Sequence, residues 1–186
     1  QTTILALIVL TVLLSMVSMA AGRVWAPFSG WLDRGDPRWA IIFELRLPRT
    51  ILAIGVGAAL GMAGAAMQGY TRNPLADPGA LGVSSMAALG AVLTLYLGAG
   101  AAQPWVIAAA AMIGALMAVM LLLALSGQAS SIVTFILAGV ILQTMAGAGV
   151  ALALSLAPNP WAVNEIVNWL MGSLADRSLG EVQMAL

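Results

Sequence analysis

The side chains able to do chemistry are few, and most lie at the ends of long apolar runs. There is no His and no Cys. That removes the commonest metal ligand and general base, any thiolate metal site and any disulfide framework. Seven Arg balance seven Asp and Glu, and Lys is absent, so the charge balance offers nothing to nucleic acid. No Gly-rich phosphate loop ending in Lys is present, so the chain hydrolyses no nucleotide itself. What remains is polar and positional. Gln68 and Gln143 are the large amides within or at the ends of apolar runs, where such groups face a wet path or bond to a neighbouring helix. Met145 is one of 11 Met, a thioether that either adapts to packing or lines a solute path. In RNPLA, Pro74 pushes Asn73 out of helical geometry, and Asn73 can bond its own local backbone. Arg72, Asn73 and Pro74 therefore read as a structural turn.

The elements that position these groups are hydrophobic helices. The apolar fraction is 62%, the charged fraction 8% and the mean hydropathy +1.03, more apolar surface than a soluble domain of this length can hide. A spanning helix needs about 20 apolar residues. Runs of that kind occur at about 4–22, 50–69, 80–98, 105–125 and 132–156. Only helices satisfy every backbone group in lipid unless a barrel closes, and nothing here reads as a barrel. The expected fold is all-α, a polytopic transmembrane bundle of about five spans. The first run is too long for a signal-peptide core and lacks a convincing cleavage site, so it reads as a retained span.

The connection from Arg23 to Arg49 holds eight of the fourteen charges. Arg23, Arg34 and Arg38 read as solvated loop charges. Span two is rich in small residues and includes the pair Gly57 and Gly61, a pattern that permits close helix approach. After span five, Val163, Ile166, Val167, Leu170, Met171 and Leu174 recur at helical spacing with Asn164, Glu165 and Asn168 opposite. That predicts an amphipathic helix over about 162–174, lying along an interface. Gln1 is not an initiator residue, and DRSLGEVQMAL reads as a loop entering another apolar helix, so both ends are expected to be trimmed. The spans carry no coupling charge, so uphill transport would draw its energy from another subunit.

Three stretches taken together resemble the FecCD-type permease family, the membrane subunits of ABC importers for iron-siderophores, haem and cobalamin. They are ELRLPRTILAIGVGAALGMAGAAMQGYTRNPLADPGALGVSSMA (Glu44 to Ala87), FILAGVIL (Phe135 to Leu142) and NWLMGSL (Asn168 to Leu174). The ordered pattern R-x-P-R, Gly/Ala-rich helix, Q-x-x-x-x-N-P-L-A-x-P-x-x-L-G is the specific part. Family members have about ten spans, so the resemblance makes residues 1–186 the N-terminal portion of one permease transmembrane domain.

The resemblance implies a bacterial inner-membrane protein that transports by alternating access. Implied partners are a second permease copy, two cytoplasmic ATPase subunits carrying ATP and Mg²⁺, and a periplasmic or lipid-anchored solute-binding protein. Membrane lipid surrounds the bundle, and the chain itself needs no cofactor, holds no metal and is not an enzyme. Iron-siderophore comes first as solute, with haem and cobalamin beside it. Arg46 and Arg49 occupy the R-x-P-R positions that pair with glutamates of the binding protein; anchoring of span two at the headgroups is the plainer use of the same residues. Ser130, Ser131, Ile132 and Val133 fall where the family has its cytoplasmic gate, and spans two and five lie near the path, with Gln68, Gln143 and Met145 as candidates to line it. The positive-inside rule alone would put the 23–49 connection in the cytoplasm, whereas the resemblance puts it outside. A secondary carrier and a non-transporting membrane scaffold are the rival functions.

Overall fold

The computed structural model describes residues 1–22, 25–27, 31–98, 104–127, 131–175 and 177–185. Among these residues there is no strand. Eight α-helices follow in order: α1 Thr2–Ala20, α2 Pro37–Ala40, α3 Leu47–Thr71, α4 Val83–Tyr96, α5 Pro104–Ser126, α6 Ile132–Ser155, α7 Pro160–Met171 and α8 Leu179–Ala185. They form two compact units, Gln1–Gly61 with Ser173–Leu186, and Met62–Gly172.

Among the described residues, four helical stretches are long and apolar enough to cross a bilayer: Thr2–Ala20, Pro37–Thr71, Trp105–Ser126 and Ile132–Ser155. The expected third span is different. Its α-helix has only 14 residues, about 21 Å of rise, and a 3₁₀ turn over Pro78–Leu81 occupies the stretch before it. Asp77 caps that turn by accepting from the Gly79 amide, and Gly82, left-handed at φ +72°, ends it, so the α-helix starts only at Val83.

The second span is longer than expected. Helix begins at Pro37, not near residue 50, and runs 35 residues to Thr71. Asp36 caps its first turn by accepting from the Arg38 amide. Pro48, just before the expected start of span two, sits inside this helix. Helix continues through it because Ile41–Arg46 is a π-helical turn. The Leu47 amide donates to the Ile42 carbonyl, five residues back. That wider turn accommodates a proline ring that would otherwise press on the carbonyl four residues earlier.

In the first unit, α1 meets the π turn and the start of α3. Ile42 is fully buried there, and Pro48 is among the most buried side chains of the chain. Arg38 and Arg34, expected as solvated charges, both have partners. Arg38 forms a salt bridge of 2.6 Å to Asp36, and the Arg34 guanidinium lies 5.6 Å from the centroid of Trp39. Arg23 lies outside the described residues. Helix α8 opens on a reciprocal cap: the Ser178 amide donates to Glu181 Oε2 at 2.7 Å, while Ser178 Oγ accepts from the Glu181 amide at 3.4 Å.

The second unit is a three-helix bundle of α4, α5 and α6 with α7 laid against α4. One core cluster is Val92, Leu95, Ala153 and Ile166, so the apolar stripe of α7 is held by α4 and α6 through a fully buried Ile166. A second is Leu122, Ala138 and Leu142, packed by Leu81, Val83 and Phe135. The expected amphipathic helix is therefore present, shifted to 160–171. Asn159 caps its start, and Gly172 at φ +68° ends it. Tyr96 Oη donates to the Leu156 carbonyl at 3.2 Å, tying the end of α4 to the end of α6.

Candidate functional site

The most densely built polar site lies where α1 ends against the π turn and the start of α3. The last four carbonyls of a helix have no partner within it and must find donors elsewhere. Here all four do. The Val17 carbonyl accepts from the Ala21 amide at 2.7 Å. The Ser18 carbonyl accepts from Arg49 Nη2 at 3.1 Å. The Met19 and Ala20 carbonyls both accept from Arg46 Nη1, at 2.9 and 2.8 Å, and the Ala20 carbonyl also takes the Ala26 amide.

Two cations at a helix C-terminus also meet the negative end of its dipole. The spacing explains why both reach. Arg46 and Arg49 are three apart on one helix and so share a face, and Thr50, four after Arg46, shares it too. Thr50 Oγ1 donates to the Arg46 carbonyl and lies 3.1 Å from Ser18 Oγ of α1. Gly22 makes room. A Cβ there would fall 2.6 Å from Arg46 Nη2.

The two arginines differ in exposure. Arg46 is 7% exposed, whereas Arg49 is half-buried. The sequence picks out both but not their intramolecular partners. Ser18, Gly22 and Thr50 are missed because each is individually ordinary; only the complete set of α1 carbonyls reveals their use.

The path candidates all belong to the second unit. Gln68 and Gln143 are exposed, as is Met145 at 64%. Gln68 and Gln143 sit on different helices, α3 and α6, and the amide nitrogen of the Gln143 backbone lies close to Gly82. Of the residues expected to form a gate, Ser131 caps α6: its Oγ accepts from the Thr134 amide at 3.2 Å. Ile132 and Val133 follow in its first turn and are exposed. Ser130 lies outside the described residues.

Arg72, Asn73 and Pro74 form the turn after α3. The Asn73 amide donates to the Gln68 carbonyl at 3.2 Å, and Arg72 is left-handed at φ +49°. That is a Schellman ending with arginine where glycine is usual. Asn73 Oδ1 then accepts from the Leu75 amide at 3.0 Å.

Close helix contact is made at glycines other than the expected pair. Nothing lies within 4 Å of a Cβ built on Gly57 or Gly61. Instead Gly90 meets the Ala110 carbonyl of α5, and Gly114 meets the Met86 carbonyl of α4. Gly139 of α6 receives the 3₁₀ turn at Ala80 and Leu81. Spacing in a sequence shows where close approach is allowed, not which neighbour uses it.

A bundle with several bilayer-length apolar helices, buried polar groups at their ends and no strand among the described residues is a multi-pass membrane protein of the helical class. The chain belongs to the FecCD transport family, whose model matches residues 4–186. It is 42% identical over 166 residues to an uncharacterized ABC transporter permease protein, YvrB, of Bacillus subtilis (strain 168), covering 86% of this chain and 46% of that one. It is 35% identical over 170 residues to the vitamin B12 import system permease protein BtuC of Salmonella newport (strain SL254), covering 91% and 51%. A solved structure described as an inward-facing conformation of a candidate metal-chelate type ABC transporter matches with a TM-score of 0.84 and 29% identity, over 98% of this chain and 56% of that one. The chain spans about half the length of the curated relatives it matches.

Proposed function

We propose that the protein is a permease subunit of a binding-protein-dependent ABC importer in the bacterial inner membrane. It moves a metal chelate, with ferric siderophore first and haem or cobalamin as the other members of the class. The single observation that carries the reading is the match of 98% of the chain, at a TM-score of 0.84, to a transporter of metal-chelate type. Relatedness to a vitamin B12 permease supports a large chelate as cargo.

The mechanism is alternating access. Two ATPase subunits bind and hydrolyse ATP, and a second permease copy completes the path. The nucleotide state acts by favouring one of two permease conformations, which requires differential binding to them. No covalent step occurs on this chain. A solute-binding protein docks on the outer face, where its carboxylates meet the arginine site. Gln68, Gln143 and Met145 line the path, and the α5–α6 turn with Ile132 and Val133 closes it inside.

The test is uptake of ferric siderophore by the permease at its full encoded length, with its ATPase and binding protein in liposomes. Uptake is expected only with ATP and all three components. Transport that persists without the ATPase but collapses with an uncoupler would instead establish a secondary carrier. No solute uptake under any of these conditions would leave a scaffold role.

A further inference from the structure

Helix α7 turns a hydrophilic face away from its bundle. Ile166, fully buried, marks the side held by α4 and α6. At about 100° per residue, Asn164 and Asn168 fall nearly opposite Ile166, with Trp161 beside them and Glu165 at the edge of the same arc. The four are spaced i, i+3, i+4 and i+7, so they form one stripe. All are exposed. Together they line a hollow of about 390 Å³, within the range of about 300–1,000 Å³ usual for small-molecule sites. The side chains of Asn164, Glu165 and Asn168 have no hydrogen-bond or ion-pair partner among the described residues. Amides and a carboxylate left so need water or a polar ligand, so this face does not lie in hydrocarbon. Among them stands an indole that is 79% exposed, the kind of side chain that anchors a ligand rather than one that water solvates well.

The charge on this end of the second unit has one sign. Between Met62 and Gly172 the charged residues are Arg72, Asp77 and Glu165. Arg72 and Asp77 precede α4, whereas α7 packs on Val92 and Leu95 near its other end. From Val83 to Val92, α4 rises about 14 Å, beyond the screening length of about 8 Å at physiological salt. Neither charge of that turn therefore balances Glu165. Trp161, four residues before Glu165, adds the negative face of its ring, which attracts cations.

We propose that the Trp161, Asn164, Glu165, Asn168 stripe of α7 is a contact site for the transported solute, and that it selects metal chelates carrying no net negative charge. Asn164 and Asn168 offer donors and acceptors to the polar rim of a chelate. Trp161 packs on its apolar or conjugated part. Glu165 admits uncharged and cationic complexes and opposes anionic ones. This inference rests on the importer reading above and narrows it. Trihydroxamate siderophores and cobalamin fit the stripe; tricatecholates, and haem with its propionates, do not.

Two ferric chelates of opposite charge test it: ferrioxamine B, a cationic trihydroxamate, and ferric enterobactin, an anionic tricatecholate. Binding of each to the permease at its full encoded length, in nanodiscs, is read from the coloured complex retained on ultrafiltration. The unsubstituted protein should bind the cation about ten-fold more tightly than the anion. Glu165→Lys should invert that preference. Asn168→Lys, which adds a cation to the stripe and leaves Glu165 in place, should narrow it by about three-fold or more. Both positions are exposed, so neither variant disturbs the core. Trp161→Ala should weaken binding of the cation by about five-fold, and Trp161→Phe should restore most of it.

Equal binding of the two chelates, or a preference that neither lysine variant moves, overturns the selectivity. Failure of the unsubstituted protein to bind either chelate overturns the site itself. Binding unchanged in Trp161→Ala would assign the indole to the membrane interface and overturn its part in the site. Uptake assayed beside it, with ATP, ATPase and binding protein, keeps the two levels apart. Uptake without binding at the stripe upholds the importer reading and removes this inference alone. Charge-selective binding without uptake upholds the chelate site and removes the importer reading.

Discussion

Gly90 and Gly114 are a reciprocal pair: each brings its bare Cα against a carbonyl of the other's helix, Gly90 against Ala110 of α5 and Gly114 against Met86 of α4. The four positions place α4 and α5 nearly in backbone contact over more than one turn. Small residues at such crossings supply the close packing that hydrocarbon burial cannot supply in lipid.

A methyl group at either glycine would overlap backbone, which has no rotamer by which to yield. Gly90→Ala and Gly114→Ala are each expected to destabilise the bundle by about 1–3 kcal/mol. The check is the thermal midpoint in detergent followed by circular dichroism. Because both act on one crossing, the double variant should cost less than the sum of the two. Strict additivity would mean that the two contacts are independent.

Positive φ angles separate two further substitutions. Gly82 stands at φ +72°, and a Cβ on it would meet the Gln143 nitrogen at 2.7 Å and the Gly139 carbonyl oxygen at 2.9 Å. Arg72 stands at φ +49° and is exposed. Gly82→Ala should therefore lower stability by the left-handed penalty of about 1–2 kcal/mol plus the clash. Arg72→Gly should raise it by about 1 kcal/mol. A lower midpoint for Arg72→Gly would show that its side chain holds the turn by a contact stronger than the backbone strain.

Helix α7 depends on one buried side chain and one cap. Ile166→Ala removes a fully buried residue from the Val92, Leu95 and Ala153 cluster and should cost about 2–5 kcal/mol. Asn159→Ala removes the acceptor of the Ala162 amide and should cost about 1 kcal/mol. Hydrogen exchange of α7 amides distinguishes them. The cap variant should speed exchange in the first turn only, and the core variant along the whole helix.

The start of α8 should respond to acid. Glu181 is held below its ordinary carboxylate value of 4.5, first by the Ser178 amide that donates to it and then by the Arg177 guanidinium. Because the folded value is depressed, the stabilisation is fully present above 4.5 and is lost as pH falls through the folded value. The Ser178 amide resonance, titrated in micelles, should move with a midpoint below 4.5, and Glu181→Gln should flatten it. A midpoint at or above 4.5 would show that the reciprocal cap does not favour the ionised carboxylate.

Much of this architecture was legible before any coordinates. Hydrophobic runs locate α5 and α6 to within a residue or two at each end, because uncharged sequence bounded by Gly, Ser and Pro leaves little choice of register. The period of α7 is as clear, since Ile166 and its neighbours repeat at helical spacing. Two local conflicts were not legible. Pro48 stands just before the expected start of span two, and only the backbone shows a π turn absorbing its ring. The span read from residue 80 yields to Gly82, whose left-handed backbone separates a 3₁₀ turn from an α-helix that starts at Val83.

The arginine site shows the same limit in another form. Its cations stand out by type and spacing, but their partners at α1 are backbone carbonyls, which carry no residue signature. A similar blindness explains the glycines: Gly57 and Gly61 display the familiar spacing, while Gly90 and Gly114, with no such spacing between them, form the contact.

The π turn carries one residue more than the α-helical turn it replaces. The segment from Pro37 to Thr71 therefore contains a point at which its length can change by one without the helix ending. Deleting one residue within 41–44 would let the turn close with ordinary α geometry and leave the two flanks on nearly their former bearing, while setting the Pro48 ring against the carbonyl four residues before it. Asp36, Arg38 and Trp39 would therefore keep their side of the helix relative to Arg49 and Thr50. A deletion elsewhere between Pro37 and Thr71 meets no spare residue and would turn one flank by about 100° against the other with every exposed side chain still present.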